Sequence, residues 1–142
     1  MLLFRHRLTV RFRDCDPLGH VNHAVYLTYL EQARFMLWRA QLDFVVRASV
    51  AEPGPSVPGF ILARAEVDYR AQARYGDELE VRLSLGGIGR SSFTYVYDLI
   101  DVPTGRVVAI ARTVLVLFDY REQKPVPIDE PLRTRLATPV EV

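Results

Sequence analysis

The stretch HAVYLTYLEQARFMLWRAQL, from His23 to Leu42, holds neither glycine nor proline, and its reading decides the fold. Leu27, Leu30, Ala33, Leu37 and Ala40 recur at helical spacing, and Tyr26, Tyr29, Met36 and Trp38 widen that apolar stripe. The polar remainder, Thr28, Glu31, Gln32, Arg39 and Asp43, is narrow. A helix this broadly apolar is expected to be covered on most of its circumference and to be central to the fold. Asn22 stands where an N-cap belongs, because its short side chain can accept a bond from the first free backbone N–H groups.

On either side of this helix the period changes from helical to alternating. Before it, Leu8, Val10 and Phe12 point one way and Arg7, Thr9, Arg11 and Arg13 the other, which predicts a half-buried strand from His6 to Arg13. Asp16-Pro17-Leu18-Gly19 then fits a type I turn. After the helix, the Pro- and Gly-rich stretch from Ala51 to Gly59 reads as an irregular connector. Four strands follow: Ile61 to Arg70, Glu78 to Leu85, Phe93 to Leu99, and Val107 to Phe118. The last is apolar on both faces, as a central strand would be. Gly86-Gly87 and Asp101 to Gly105 are expected to supply hairpin turns. A short helix is expected near Glu130 to Leu136.

One long helix and about five amphipathic strands admit few solutions. Short connections imply an antiparallel sheet, and its apolar face must cover the one helix available. A sheet wrapped around one long central helix is the hotdog arrangement, an α+β fold. A ferredoxin-like sheet would need a second long helix between the later strands. The 142 residues fit a single domain over residues 1–142.

Composition narrows the function. A formal charge of +1 sets up no field for nucleic acid or an anionic membrane, so neither is expected as a partner. Met1 to Phe4 is apolar but is interrupted by Arg5, His6 and Arg7, so neither a signal peptide nor a membrane span is expected, and the default expectation is a cytoplasmic protein. Cys15 is the single cysteine, which rules out an internal disulfide and a thiolate-rich zinc site.

The chemistry concentrates just before the helix, in Arg13-Asp14-Cys15-Asp16-Pro17-Leu18-Gly19-His20-Val21-Asn22-His23-Ala24-Val25-Tyr26. An acidic turn there abuts a helix N-terminus, which offers unpaired N–H groups and roughly half a unit of positive charge. One part can supply or activate a nucleophile, and the other can hold the oxyanion that develops on an attacked carbonyl. Those are the parts that ester or thioester hydrolysis needs.

These residues resemble a known family. Asp16-Pro17, Gly19-His20-Val21-Asn22-His23, Tyr26 and Tyr29-Leu30-Glu31, with Ala33-Arg34, are similar to the 4-hydroxybenzoyl-CoA thioesterase-like branch of hotdog acyl-CoA thioesterases. The likeness continues weakly through Gly76-Asp77 to Arg90-Ser91-Ser92-Phe93. It implies that Asp16 is the catalytic carboxylate, as nucleophile or general base, and that the backbone N–H of His23 is an oxyanion donor. It also implies that the side chains of His23 and Tyr26 line the pocket, which Gly19, His20 and Asn22 help to form. The run His20-Val21-Asn22-His23 blends two variants of the family motif, so both CoA and acyl carrier protein stand as acyl carriers. No metal or redox cofactor is implied.

Competing readings exist for most of these residues. Asp14 is expected to be a solvated turn residue, Asn22 a cap, Cys15 a small buried apolar residue and Tyr29 a packing residue. Glu31 and Arg34 are spaced for a surface or interface pair. His20, His23, Cys15 and Asp16 are too few good ligands for structural zinc. Arg64, Arg70, Arg74 and Arg90 have the geometry for CoA phosphates, and Arg90 with Ser91 is the favoured choice. A lone unit leaves a sheet edge open, so a homodimer is expected as the minimum assembly, with a homotetramer of two dimers as an alternative. The rival functions are a hydratase or dehydratase of the same fold, faintly echoed by Val57-Pro58-Gly59-Phe60, and a non-catalytic acyl-thioester-binding module.

Overall fold

The structure is a computed structural model that describes residues 1–42 and 59–141. Asp43 and the connector expected from Ala51 lie outside the described residues, except for Gly59, which opens a strand. The elements are β1 (Leu2–Thr9), a 3-10 turn (Phe12–Asp14), α1 (His23–Leu42), β2 (Gly59–Tyr69), β3 (Glu78–Ile88), β4 (Ser92–Asp101), β5 (Val107–Asp119), β6 (Lys124–Pro125) and α2 (Glu130–Leu136). The strands form one antiparallel sheet in the order β1-β3-β4-β5-β2, with the short β6 on β5. β5 is internal, as its two-faced apolar pattern requires.

The core lies between the concave face of the sheet and α1. Leu79, Val81 and Leu83 of β3, Phe93, Tyr95, Tyr97 and Leu99 of β4, and Ala109, Ala111 and Leu115 of β5 are buried against Tyr26, Tyr29, Leu30, Ala33, Leu37 and Trp38. Two polar ties cross this core: Trp38 Nε1 donates to the Tyr95 hydroxyl at 2.8 Å, and Arg34 Nη1 donates to the Tyr97 hydroxyl at 3.3 Å. A third closes the far end of α1, where Gln41 Nε2 donates to the carbonyls of Leu136 and Thr138.

Some sequence expectations need correcting. β1 starts at Leu2 and stops at Thr9, because Asp14 folds back to take the Arg11 N–H (2.9 Å) and closes a 3-10 turn. Phe12 therefore leaves the inward row and is 79% exposed, edge-on to Tyr75. Gly86-Gly87 is no turn: β3 runs through it to Ile88 with a register shift, and a Cβ at Gly86 would lie 3.2 Å from the side chains of Thr94 and Val96. The turn falls after Ile88, where the Gly89 N–H meets the Ser92 carbonyl at 2.7 Å.

The remaining corrections concern the helix. It packs chiefly on β1 and β3, so one flank stays open in the single chain. Leu27, Met36 and Ala40 are exposed, and the buried stripe is Tyr26, Tyr29, Leu30, Ala33, Arg34, Leu37, Trp38 and Gln41. Glu31 and Arg34 do pair, at 3.9 Å, but only Glu31 is exposed, while Arg34 is buried.

Candidate active site

The segment between β1 and α1 is held from behind by Asp14. Its carboxylate accepts from the Arg11 backbone and guanidinium (2.9 Å each) and from the Tyr29 hydroxyl at 2.7 Å, and only 3% of the residue is exposed. Burial is the largest single influence on this carboxyl and pushes its pKa upward. The bonds from Arg11 and Tyr29, with the Arg11 charge, outweigh it and leave the value below the usual range. Asp14 is thus a buried anchor, not the solvated residue expected. The one local signal for this was the Arg11–Asp14 spacing; Tyr29 enters only through the tertiary fold.

From that anchor the chain makes a small closed loop. Cys15 and Val21 form an isolated antiparallel bridge, the Asp16 N–H donates to the His20 carbonyl at 2.9 Å, and the Gly19 N–H donates to the Asp16 carbonyl at 3.0 Å. The last bond is the turn expected over Asp16 to Gly19, and Gly19 has φ +90°, which favours glycine. The Asp16 carboxylate stands inside this loop. Oδ1 accepts from the Leu18 N–H at 2.9 Å, Oδ2 lies 3.9 Å from His20 Nδ1, and 20% of the side chain is exposed. It is therefore half-buried and oriented, yet open to an incoming group.

The helix start completes the arrangement. Asn22 is the cap: its Oδ1 accepts from Ala24 N–H at 3.0 Å and its carbonyl from Val25 N–H at 2.9 Å. The N–H of His23 is claimed by no acceptor among the described residues. The His23 side chain is exposed. Tyr26 is buried beside the Ala73 backbone, and burial raises its phenol pKa. It therefore props the helix against the crossover that joins β2 to β3. The Val21 N–H grips the same crossover residue, donating to the Ala73 carbonyl at 2.8 Å.

Tyr69, at the end of β2, belongs to this site and was not singled out from sequence. Its hydroxyl donates to the His23 carbonyl at 2.7 Å, its ring meets Tyr26 edge-on at 5.1 Å, and 48% of it is exposed. Nothing in the local pattern separates Tyr69 from any other inward strand residue. Beyond it along β2, Val67, Ala65 and Leu62 stand opposite Ala111, Thr113 and Leu115 of β5, and Leu62 and Ala65 are exposed.

Arg90 and Ser91 are elsewhere. They precede β4, whereas Asp16 lies at the end of the sheet where β4 finishes and β5 begins. Within one chain, then, Asp16, Gly19, His20, Asn22, His23 and Tyr26 come together, and Arg90 and Ser91 stand at the opposite end of the strands. Among the described residues no three His, Cys, Asp or Glu side chains converge as a metal site would require, and no helix is long and apolar enough to cross a membrane.

The fold is the hotdog fold. A 1,4-dihydroxy-2-naphthoyl-CoA thioesterase from Synechocystis superposes with a TM-score of 0.80 over 94% of both chains, at 22% identity. Fold and relatives together define the class as thioester hydrolases. Within that class the chain belongs to the Thioesterase-like superfamily, whose profile matches residues 10–136. The acyl-CoA thioester hydrolase YbgC of Escherichia coli is 28% identical over 123 residues, 87% of each chain. A Thermus thermophilus thioesterase, solved in complex with coenzyme A and Zn, is 37% identical, with a TM-score of 0.73 over 93% of this chain and 95% of that one.

Proposed function

We propose that this chain hydrolyses an acyl-CoA to a free acid and CoA, with Asp16 as the catalytic carboxylate. The observation that carries this reading is the pairing of a fixed, half-open carboxylate with an unclaimed N–H at the start of α1. The thioester carbonyl lies between them with its oxygen toward the His23 N–H, where the dipole of α1 favours developing negative charge. Asp16 then either attacks the carbonyl carbon, giving a mixed anhydride that water cleaves, or takes a proton from the water that attacks. The leaving thiol has a pKa of about 8.5, so no strong general acid is needed. Gly19 shapes the loop, Asn22 fixes the helix start, and His20 and His23 border the opening. The CoA named for the Thermus relative and the acyl-CoA substrate named for YbgC support this choice of carrier over a carrier protein.

The working unit is a homodimer. β2 is an edge strand, with Ile61, Leu62 and Ala65 exposed along it. Antiparallel pairing of β2 with that of a second copy covers this edge and the open flank of α1. It also reverses the second sheet, so that the second copy's Arg90 and Ser91 come to the Asp16 end of the first. Two such dimers would make the tetramer.

A thiol-release screen over short, long and aromatic acyl-CoAs tests the whole reading. Asp16→Asn should lower kcat by about 10²–10⁴-fold with its substrate binding kept. If the wild-type protein releases no thiol across the panel while still binding acyl-CoA, it is a binding module. Hydration of an enoyl-CoA without thiol release would make it a hydratase.

A further inference from the structure

The crossover from β2 to β3 has two sides. Ala73 faces the helix, buried beside Tyr26 and with its carbonyl taking the Val21 N–H. The residues around it, Arg70, Gln72 and Arg74, turn the other way. With Ala71, Asp77, Asp101 and Arg106 they line a polar cleft of about 560 Å³ between the crossover and the β4–β5 turn. That is the size of a small-molecule site, yet its lining is polar and cationic instead of apolar.

The charges in this cleft are arranged unequally. The two carboxylates are tied into turns: Asp77 accepts the Arg74 backbone N–H at 2.9 Å, and Asp101 accepts the Thr104 hydroxyl. The three guanidinium groups are not tied. Among the described residues none of them forms an ion pair, and the one bond they make is a long one, 3.4 Å from Arg106 Nη2 to the Gln72 carbonyl. Three exposed, unpaired planar cations around a concave space match an anion with several oxygens, and phosphate in particular. One phosphate would leave a guanidinium idle in a cleft this large, whereas linked phosphates would engage all three.

We propose that the cleft formed by Arg70, Arg74 and Arg106 binds the linked phosphates of a nucleotide. Two sources share that chemistry: the nucleotide tail of CoA and a free nucleoside di- or triphosphate. The first rests on the acyl-CoA reading above and would place the tail on this chain instead of at the second copy's Arg90. The second does not depend on that reading.

Calorimetric titration with inorganic pyrophosphate tests the site without reference to activity. The wild-type protein should bind it, with affinity falling as salt rises. Arg74→Gln and Arg106→Gln should each weaken binding about tenfold, while Arg39→Gln on the exposed face of α1 should not change it. Circular dichroism and thermal melting of each variant confirm that the fold is kept, and Arg70→Gln serves in place of any variant that melts early. Kinetics then separates the sources. If KM for acyl-CoA rises in these variants and KM for the same acyl group on N-acetylcysteamine does not, the cleft holds the CoA tail. If pyrophosphate binding falls and KM for acyl-CoA stays put, the ligand is a free nucleotide. Pyrophosphate binding that is missing in wild type at millimolar concentration, or equal in wild type and variants, overturns the proposal. A protein that releases no thiol yet binds pyrophosphate through these arginines would lose the acyl-CoA reading and keep this one.

Discussion

Two aspartates only a residue apart, Asp14 and Asp16, have opposite fates. Asp14 points back into the fold, where Tyr29 and Arg11 satisfy it, and Asp16 points out into a loop whose mouth is open. Sequence could not separate them, because the difference lies in Tyr29, which the helix delivers from a full turn and a loop away. The distinction is testable. Asp14→Ala should cost about 1–3 kcal/mol of stability in a denaturant titration, since it orphans the buried Tyr29 hydroxyl. Because the folded pKa of Asp14 lies below the unfolded value of about 3.9, its ionised form contributes fully above that pH. The contribution is lost as pH falls through the lower folded value, so Asp14→Asn should flatten the acid limb of a stability-against-pH curve below about pH 4. Tyr69→Phe is the companion test on the other side of the site. It removes the bond to the His23 carbonyl and should lower stability by about 1 kcal/mol while leaving the ring contact with Tyr26 in place. A melting temperature unchanged by Tyr69→Phe would mean that the bond does not tie β2 to the helix start.

At the level of elements, the helix and the later strands were legible because their periods are strong and uninterrupted. His23–Leu42 has the bounds read from the sequence, and so does the Asn22 cap. What was not legible was the direction each helix face would meet. Leu27 and Ala40 look as apolar as Leu30 and Ala33, and only the offset of α1 toward β1 and β3 decides which are covered. The same holds for Gly86, a breaker by composition that the strand absorbs as a bulge because Thr94 and Val96 crowd it. The bond between Trp38 and Tyr95 fixes the C-terminal half of the helix to the centre of the sheet. Trp38→Phe keeps most of the packing and removes that donor, so the buried Tyr95 hydroxyl loses its partner. A destabilisation of about 1–3 kcal/mol by chemical denaturation is expected, and a neutral result would mean that the indole N–H is dispensable.

For the molecule as a whole, the loop around Asp16 was readable as a motif, but what surrounds it was not. A single chain leaves the concave side of β2 and one flank of α1 uncovered, and it parts Arg90 and Ser91 from Asp16 by the length of the strands. No local pattern encodes that separation, which follows from strand direction. Light scattering should return the mass of two or four chains, and Leu62→Lys on the edge strand should shift it toward one chain and reduce thiol release in parallel. A fully active single-chain species would contradict the dimeric site. The grip of Val21 on Ala73 has a further outcome, one for isotope exchange. The Val21 amide proton sits in a connecting segment, where exchange with deuterated water is ordinarily fast, yet it is bonded to the Ala73 carbonyl like one in a ladder. It should therefore exchange at a rate set by opening of the core and not by local fraying, so that one loop signal in a heteronuclear spectrum acts as a clock for the integrity of the Asp16 end.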